Sequence, residues 1–317
     1  MGVYAIKRIL LFIPTLLLMS ILIFALLRIL PGDPAEVMMG EEGARFTEAD
    51  LERIRAEIGT DKPLYLQYGV WIADIFQGDF GKSFYYRVPV SGDLKLRFPT
   101  TMELAILASI IGVVVAVPLG VLSAVKQDSW IDHVVKIFSI GGIAMPNFFV
   151  GVLIVLGLAV IFGWSPPILY AHLWDDPLTN LQQMIFPALA LGYGHMAFIA
   201  RVTRSSMLEV MREDYIRTAR SKGLAEYLVI FRHAVKNAFL PVVTVSGYQF
   251  ARTIGGTVVI ETIFLVPGIG QFLVISVLHR DFNAIQATFL LIAVFVVVIN
   301  LLVDLLYGWL NPRVRYA

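Results

Sequence analysis

Long apolar runs separated by short polar segments dominate the chain. Five runs are uncharged and a sixth is interrupted by two ionisable residues; the six cover residues 9–27, 104–125, 137–174, 177–200, 282–303 and 239–266. A helix needs about 20 apolar residues to cross the hydrocarbon of a bilayer. The pattern therefore predicts an all-α fold with six transmembrane helices, in which 137–174 holds one span plus an outer loop. Met145-Pro146-Asn147 predicts a kink inside that third span.

The composition agrees with an integral membrane protein. Hydrophobic residues make up 58% of the chain and charged residues only 15%. The first run has 19 residues and is followed by Leu30-Pro31-Gly32-Asp33 instead of a small-residue cleavage site, so we expect a span and not a cleaved signal. The chain has no cysteine and therefore no disulfide, so the redox compartment of its polar segments cannot be inferred from cysteine usage.

The distribution of Lys and Arg predicts the orientation. Short loops rich in these residues stay in the cytoplasm. Residues 31–99 are left out of this comparison because long domains translocate regardless of charge. If the helices alternate, the other basic residues concentrate on one side, which carries Lys7, Arg8, Lys126, Lys136, eight basic residues within 201–238, Arg313 and Arg315. On the opposite side, 164–184 has none and 267–283 has only Arg280. Both ends of the chain are therefore predicted to be cytoplasmic.

Residues 31–99 form the largest polar segment and are predicted to be a small extracytoplasmic helical domain. Thr47 with Asp50 has the pattern of a helix N-cap, and Gly59 suits the helix end. A second helix is predicted from Pro63 to near Gly78, and Thr100 with Glu103 resembles a capping box that opens the second span. The predicted divisions are 1–30 for the N-terminus and first span, 31–99, and 100–317 for the membrane core.

The main polar segment on the cytoplasmic side is residues 201–238. Tyr215 and Ala219 are four residues apart and share a helix face, and a second apolar stripe at helical spacing comprises Leu224, Tyr227, Leu228 and Phe231. Two short amphipathic helices joined at Gly223 would form a hairpin that enters a groove of another protein. From composition alone, a helix pair lying on lipid headgroups remains an equal alternative.

Motifs for enzymatic chemistry are missing from the sequence. The nearest match to a phosphate-binding loop is Gly81-Lys82-Ser83, which has Phe76 where the first glycine belongs and lies on the predicted outer side. The five histidines lack the spacing of a helical zinc site, and there is no Gly-x-Ser-x-Gly elbow. We expect a protein that is not an enzyme and binds no cofactor itself.

Arg252 is a charged residue in the middle of the fifth predicted span. Burying such a charge costs about 2.5–3.5 kcal/mol on insertion scales, so it should face water, substrate or a partner carboxylate. One interpretation is a pathway residue that meets a substrate carboxylate; the other is a structural ion pair with another subunit. Glu261 lies nine residues on, which places it on the opposite helix face.

Several motifs in the same order resemble the permease subunits of ATP-binding-cassette (ABC) importers, in the branch that serves dipeptides and oligopeptides. They are Arg28-Ile29-Leu30-Pro31-Gly32-Asp33-Pro34, residues 63–68 and 78–81, Ala219-Arg220-Ser221-Lys222-Gly223, residues 232–238, Glu261-Thr262-Ile263-Phe264, Pro267-Gly268-Ile269-Gly270, Arg280-Asp281 and residues 311–316. The resemblance covers nearly the whole chain. It departs from the general coupling motif, because Arg217-Thr218-Ala219 stands in place of Glu-Ala-Ala and Lys236 in place of a later proline.

The resemblance implies a role for two groups of residues. The coupling candidates, expected to seat in a cleft of an ATPase subunit, are Glu213, Tyr215, Arg217, Ala219, Lys222, Gly223, Leu224 and His233. For His233, a structural hydrogen bond is expected. The pathway or gate candidates, with a loop or short helix near the pathway mouth, are Arg252, Glu261, Pro267, Gly268 and Gly270.

The same resemblance implies the partners and the location. They are a homologous second permease, two ATPase subunits that bind ATP and Mg²⁺, an extracytoplasmic binding protein and the plasma membrane of a prokaryote, with no nucleic acid. Peptides are the first candidate substrate, and nickel, glutathione or oligosaccharides stay open. A channel or secondary transporter without a motor is the competing class, and copurification of an ATPase distinguishes the two.

Overall fold

The computed structural model describes residues 2–29, 35, 47–167 and 169–310. All regular elements in these ranges are helices, apart from one isolated bridge between Lys82 and Pro89. The motif at residues 30–34 and the basic tail at 311–317, both used in the sequence analysis, lie outside the described residues.

The helices are labelled here in chain order. They are α1 (Gly2–Ile29), α2 (Glu48–Ile58), α3 (Leu64–Phe76), α4 (Val90–Val125), α5 (Trp130–Ala144), α6 (Asn147–Phe162), α7 (Pro177–Val210), α8 (Asp214–Ser221), α9 (Glu226–Ile263), α10 (Ile269–Leu278) and α11 (Phe282–Leu310). Within α9, residues Val229–Val235 are π-helical.

Within the described part of the chain, five helices are long and apolar enough to cross a membrane: α1, α4, α7, α9 and α11. The pair α5 and α6 passes the same test together and raises the number to six if it counts as one span. The sequence placed a single span and a loop in 137–174, but helical structure already begins at Trp130. The predicted kink is confirmed, and it is a 108° bend between Ala144 and Asn147 because Pro146 has no N–H to continue the helix.

In the polar helical domain (residues 47–89), helix boundaries agree closely with those predicted from the sequence. Thr47 and Asp50 form the predicted capping box at the start of α2, and Gly59 ends this helix in a left-handed conformation, with φ of 73°. Residue Pro63 precedes α3, also as predicted. These helix ends could be predicted from the sequence because each depends on hydrogen bonds between near neighbours in the chain.

The predicted capping box at Thr100 and Glu103 is wrong. Helix α4 begins ten residues earlier at Val90, and Thr100 lies buried in its interior. Val90 and Leu94 pack against Phe272 and Ala284, which stabilises extra turns at the start of α4. As a result, the predicted boundary at residue 100 falls inside a helix that joins the polar domain to the membrane core.

Helices α4 and α7 approach each other closely along the centre of the bundle. A Cβ atom on Gly192 would lie 2.8 Å from the carbonyl oxygen of Ala108, and one on Gly120 would lie 2.5 Å from Cβ of Thr203. Small residues permit such close backbone contact, which is how helices associate in lipid. Helices α5, α6 and α9 then pack on α7, and α1 packs on α11.

A buried carboxylate on α5 links this helix to α4 and α7. Asp132 in α5 is fully buried and accepts two hydrogen bonds from Arg204 of α7, at 2.7 and 2.9 Å. Lys136 lies 2.8 Å away, and Ser123 at the end of α4 donates to the same carboxylate at 2.5 Å. Three helices are therefore held together at one point.

We expect Asp132→Asn to lower the free energy of unfolding by about 3 kcal/mol, at the lower end of the cost of breaking a buried ion pair. The midpoint of thermal unfolding of the purified chain in detergent would show this. Asp128→Asn is the matched control, because the Asp128 side chain is 74% exposed and lies 3.9 Å from Lys136. Equal midpoints for the two variants would contradict this role of Asp132.

Candidate coupling surface and membrane site

Helix α8 is a short amphipathic helix that follows α7 after a tight turn. Ile216 and Ala219 point inward and are buried, at 0% and 7% exposure. They belong to an apolar cluster with Met207 of α7 and with Val229 and Ala234 of α9. One face of α8 is thus fixed to the ends of the long helices.

The other face of α8 is open. Tyr215 is 41% exposed and Leu224, just past the helix, is 39% exposed. Four more of the coupling candidates are exposed as well, namely Glu213, Arg217, Lys222 and Gly223. We call these six residues the coupling surface. Within it, Arg217 pairs with Asp214 at 3.3 Å, a contact in which both side chains stay largely solvated.

Gly223 ends α8 in the way the sequence predicted. Its φ is 75°, a left-handed conformation that favours glycine. The N–H of Gly223 donates to the carbonyl of Arg220, and the N–H of Leu224 donates to that of Ala219. This is the Schellman arrangement, which reverses the chain immediately after the helix.

Two side-chain contacts that sequence reasoning missed hold α8 to α9. Arg220 makes a paired hydrogen bond with Glu226 at 2.7 and 3.2 Å. Asn237 donates to the hydroxyl of Tyr215 at 2.9 Å. The partners are six and 22 residues apart, so no helical periodicity could have indicated either contact.

The second apolar stripe lies on the surface: Leu224, Tyr227 and Phe231 are 39%, 64% and 67% exposed. The buried residues in this segment are a different set, namely Val229, Ile230 and Ala234. They belong to the π-helical turn of Val229–Val235. The predicted hairpin of two separate short helices is wrong, because the second helix is the beginning of α9.

Two coupling candidates lie off the coupling surface. Ala219 contacts the interior of its own chain, where its small side chain lets α8 sit close to α9. His233 is half-buried, and its backbone carbonyl accepts a hydrogen bond from the Asn237 side chain at 3.0 Å.

Glu261 is the centre of a buried site at the other end of α9. It is fully buried in the last turn of this helix, not in a loop. Its carboxyl group accepts hydrogen bonds from the Thr101 hydroxyl at 2.7 Å and from the N–H of Gln271 at 3.0 Å. The N-terminus of α10 therefore points its free N–H groups at this carboxyl group. The sequence left a loop or a short helix open for residues 261–270; the structure has the end of α9, a turn over 264–268 and the start of α10 there.

The glycines of this motif make room for the carboxyl group. A Cβ on Gly268 would lie 2.4 Å from Cδ of Glu261, and one on Gly270 would lie 2.4 Å from Cα of Val258. Pro267 precedes this contact in the turn between α9 and α10. Thr101 of α4 also accepts the N–H of Ile269 at 2.8 Å and ties the turn to the bundle. No pattern in the sequence indicated Thr101 as a partner of Glu261, because the two residues are 160 positions apart.

Arg252 lies apart from the Glu261 site. It is exposed on α9, whereas Glu261 is buried, so the predicted opposite helix faces are confirmed. The neighbouring Thr253 is buried and contacts a ring nitrogen of His195 in α7 at 3.3 Å. The structure thus groups Glu261, Gly268 and Gly270 together and leaves Arg252 on an open face.

These two sites lie at opposite ends of the bundle. Helix α4 has 36 residues, about 54 Å, with its start against α10 and α11 and its end against α8. In the described residues, no group of three or more His, Asp or Glu side chains is placed to hold a metal ion. The membrane-length helices define an integral membrane protein, and the short, half-exposed α8 lies at one end of their bundle.

Comparison with known proteins identifies the family. Residues 116–316 match the family model described as the inner membrane component of binding-protein-dependent transport systems, and residues 1–105 match the model of its N-terminal part. The chain belongs to this family and is the permease of an ABC importer.

Full-length relatives carry related names. A putative peptide transport system permease protein of Brucella abortus is 44% identical over 310 residues, which covers 98% of each chain. A dipeptide transport system permease protein of Alkalihalophilus pseudofirmus is 38% identical, with 99% of each chain covered. A glutathione transport system permease protein of Escherichia coli is 40% identical, also over 99% of each chain.

Solved structures support the fold. An amino acid ABC transporter crystallised with histidines matches with a TM-score of 0.54 and 18% identity, over 68% of this chain and 94% of that one. An inward-facing methionine ABC transporter gives the same score and identity, over 69% and 96%. At this identity, the likeness shows the shared fold alone.

Gly268→Ala should destabilise the chain by about 1–3 kcal/mol, because the added methyl group overlaps the Glu261 carboxyl group. Thermal unfolding in detergent measures the change. Gly255→Ala, inside α9, is the control, because no neighbouring atom lies within 4 Å of the Cβ position there. Alanine is a better helix former than glycine, so this control should be neutral or stabilising. A neutral Gly268→Ala would disprove the close fit around Glu261.

Proposed function

We propose that this permease imports short peptides as one half of a membrane pathway, paired with a homologous second permease. An extracytoplasmic binding protein delivers the substrate, and two cytosolic ATPase subunits drive the cycle. ATP and Mg²⁺ bind to those ATPase subunits and not to this chain. The location is the plasma membrane of a prokaryote, with both ends of the chain in the cytoplasm.

The observation that carries this proposal is the position of α8. One face is fixed by Ile216 and Ala219, and the opposite face exposes Tyr215 and Arg217 at the end of the bundle. A helix anchored in this way transmits movement to the membrane helices, because a displacement of α8 must move α7 and α9 with it. Within α8, Tyr215 is the exposed large apolar side chain, beside the exposed charged residues Asp214, Arg217 and Arg220. The competing lipid-surface interpretation relies instead on Leu224, Tyr227 and Phe231, which are exposed after α8.

The proposed cycle is alternating access. ATP closes the two ATPase subunits around the coupling surface, and α8 moves with the cleft in which it sits. Since α4, α7 and α9 all contact α8 or its cluster, the movement reaches the membrane core. The pathway then opens outward to receive substrate and returns inward after hydrolysis.

Peptides are the proposed substrate because three relatives are named for peptide, dipeptide and glutathione transport. Glutathione is itself a small peptide and is the second candidate. Arg252 is exposed on α9 in the membrane region, where a positive charge suits a substrate carboxylate.

Arg217→Glu should weaken the association with ATPase subunits by at least about tenfold, since it reverses a charge in the centre of the coupling surface. Copurification from the native membrane in mild detergent, followed by an ATPase assay, measures the effect. Arg53→Glu reverses the charge of an exposed arginine on α2 and should change neither. If the wild-type chain purifies alone and still transports, a motor-driven mechanism is excluded.

Arg252→Met should reduce uptake of a labelled dipeptide by at least about tenfold, because a substrate carboxylate loses its charged partner. Uptake into cells that lack the native permease measures this, with excess unlabelled glutathione as competitor. Arg53→Met is the control. Unchanged uptake in Arg252→Met would exclude Arg252 from the pathway, and glutathione that competes more strongly than dipeptides would favour the second candidate.

A further inference from the structure

An open groove of about 550 Å³ lies between α5 and α7. We call it the α5–α7 groove. Its wall on α5 is one face of that helix, because Lys136, Ile140 and Ile143 follow one another at spacings of four and three residues. The facing wall belongs to the last part of α7 and includes Arg201 and Arg204. None of the residues assigned above to coupling or to the pathway lines this groove.

The charged side chains that line the groove are all basic. They are Lys136, Arg201 and Arg204, and the lining formed by the described residues contains no Asp or Glu. The buried Asp132 carboxylate contacts Arg204 and Lys136 and balances one of the three charges. Asp128 lies 3.9 Å from Lys136, but its side chain is 74% exposed and water weakens that contact. The groove therefore keeps an excess of positive charge.

Both arginines have donors left for a ligand. Arg204 uses Nε and Nη2 for Asp132, at 2.7 and 2.9 Å, which leaves its Nη1 group. The exposed Arg201 side chain lies 5.3 Å from the ring centre of Phe198 and forms no ion pair with a carboxylate in the described part of the chain. The two arginines are three residues apart on one helix, so they share a face. Their guanidinium groups suit the oxygens of a phosphate.

The depth of these cations places them near a membrane surface. Lys136 lies six residues after Trp130, the first residue of α5, and Arg204 lies six residues before the end of α7, which is about 9 Å along either helix. Trp130 is 75% exposed, and tryptophans at the ends of membrane helices typically lie at the membrane–water interface. From this level the groove continues toward the bilayer centre along Ile140 and Ile143, which are 67% and 44% exposed.

A phospholipid matches this combination better than a peptide or a protein does. The volume lies in the range of about 300–1,000 Å³ that is usual for small-molecule sites. Half of the lining residues are aliphatic, which favours hydrocarbon over a hydrophilic peptide. A second protein chain would have to bring carboxylates to the cations, because burying them unpaired is costly. An anionic phospholipid supplies both a phosphate and hydrocarbon.

We propose that the α5–α7 groove binds one anionic phospholipid. Its phosphate lies at Arg201, Arg204 and Lys136, and one acyl chain lies along Ile140 and Ile143. The lipid adds a second link between α5 and α7 beside the one formed by Asp132. This site goes beyond the proposed function, and its chemistry does not depend on peptide import. In the predicted orientation the lipid belongs to the cytoplasmic leaflet, whose anionic headgroups bind basic pockets between membrane helices.

Native mass spectrometry of the full-length chain, purified in mild detergent, tests the charge. The ligands are dioleoyl phosphatidylglycerol and dioleoyl phosphatidylcholine in equal amounts, which share their acyl chains and differ in net charge. We expect the wild-type chain to retain at least about tenfold more phosphatidylglycerol. Arg201→Gln should weaken phosphatidylglycerol binding by about tenfold, whereas Arg201→Lys keeps the charge and should retain most of the binding. Equal binding of the two lipids by the wild-type chain would overturn the proposal.

The matched control is Arg232→Gln. Arg232 is an exposed arginine in the π-helical turn of α9, outside the groove. Its replacement should leave the preference for phosphatidylglycerol unchanged. An equal loss in Arg232→Gln and Arg201→Gln would show that net charge alone attracts the lipid, and would overturn a defined site.

A second variant tests the apolar part of the groove without removing a charge. Ala144 is exposed and lines the groove, so Ala144→Phe should fill the place of the acyl chain and weaken phosphatidylglycerol binding by about tenfold. Ile137→Phe adds the same ring at an exposed position of α5 outside the groove and should have no effect. Inorganic phosphate that displaces phosphatidylglycerol at equal concentration would show an anion site only, and would overturn the lipid.

The same measurement on the complex purified from the native membrane distinguishes a lipid site from a protein interface. A preference for phosphatidylglycerol that persists beside a copurified second permease supports the proposal. A preference that is found in the isolated chain and lost in the complex would assign the groove to the contact between subunits, and would overturn it. If Arg201→Gln does not fold, Ala144→Phe and the wild-type comparison still decide the question.

Discussion

Close contact between α4 and α7 is the constraint on which the rest of the bundle depends. In lipid, helices gain little from burying apolar side chains against one another, so association relies on close packing and on polar contacts. Gly120 and Gly192 let the two backbones meet where a methyl group would overlap the partner helix. Because α4 also carries the polar domain at its start and contacts α8 through Val121 and Ala124 near its end, this contact sets the distance between the two ends of the molecule.

Two buried carboxyl groups fix the ends of that assembly by different means. Asp132 is neutralised by the guanidinium of Arg204 and the ammonium of Lys136, with Ser123 as a further donor. Glu261 has no cation among its described contacts; a threonine hydroxyl and the N-terminus of α10 surround it instead. Both arrangements satisfy a group that lipid cannot solvate, and both link helices that are distant in the sequence.

These anchors have a consequence for coupling. Helix α8 is held by apolar contacts on one face and by Arg220–Glu226 and Asn237–Tyr215 at its sides, so it cannot slide independently of α9. Force applied to its open face therefore reaches α7, whose Arg204 is bound to α5. In the proposed cycle, this rigid attachment transfers the motion of a partner subunit to the packing of the membrane helices.

The sequence by itself determined the membrane class, most of the spans, the caps of α2, the turn at Gly223 and the opposite faces of Arg252 and Glu261, because each follows from apolar run length or from contacts between near neighbours. Motifs in chain order also indicated the family. The tertiary structure alone decided the start of α4 at Val90 and the buried face of the segment 229–235. It also decided the partners of Glu261 and Asp132 and the groove between α5 and α7. All of these depend on contacts between residues far apart in the chain, and local periodicity carries no information about such contacts.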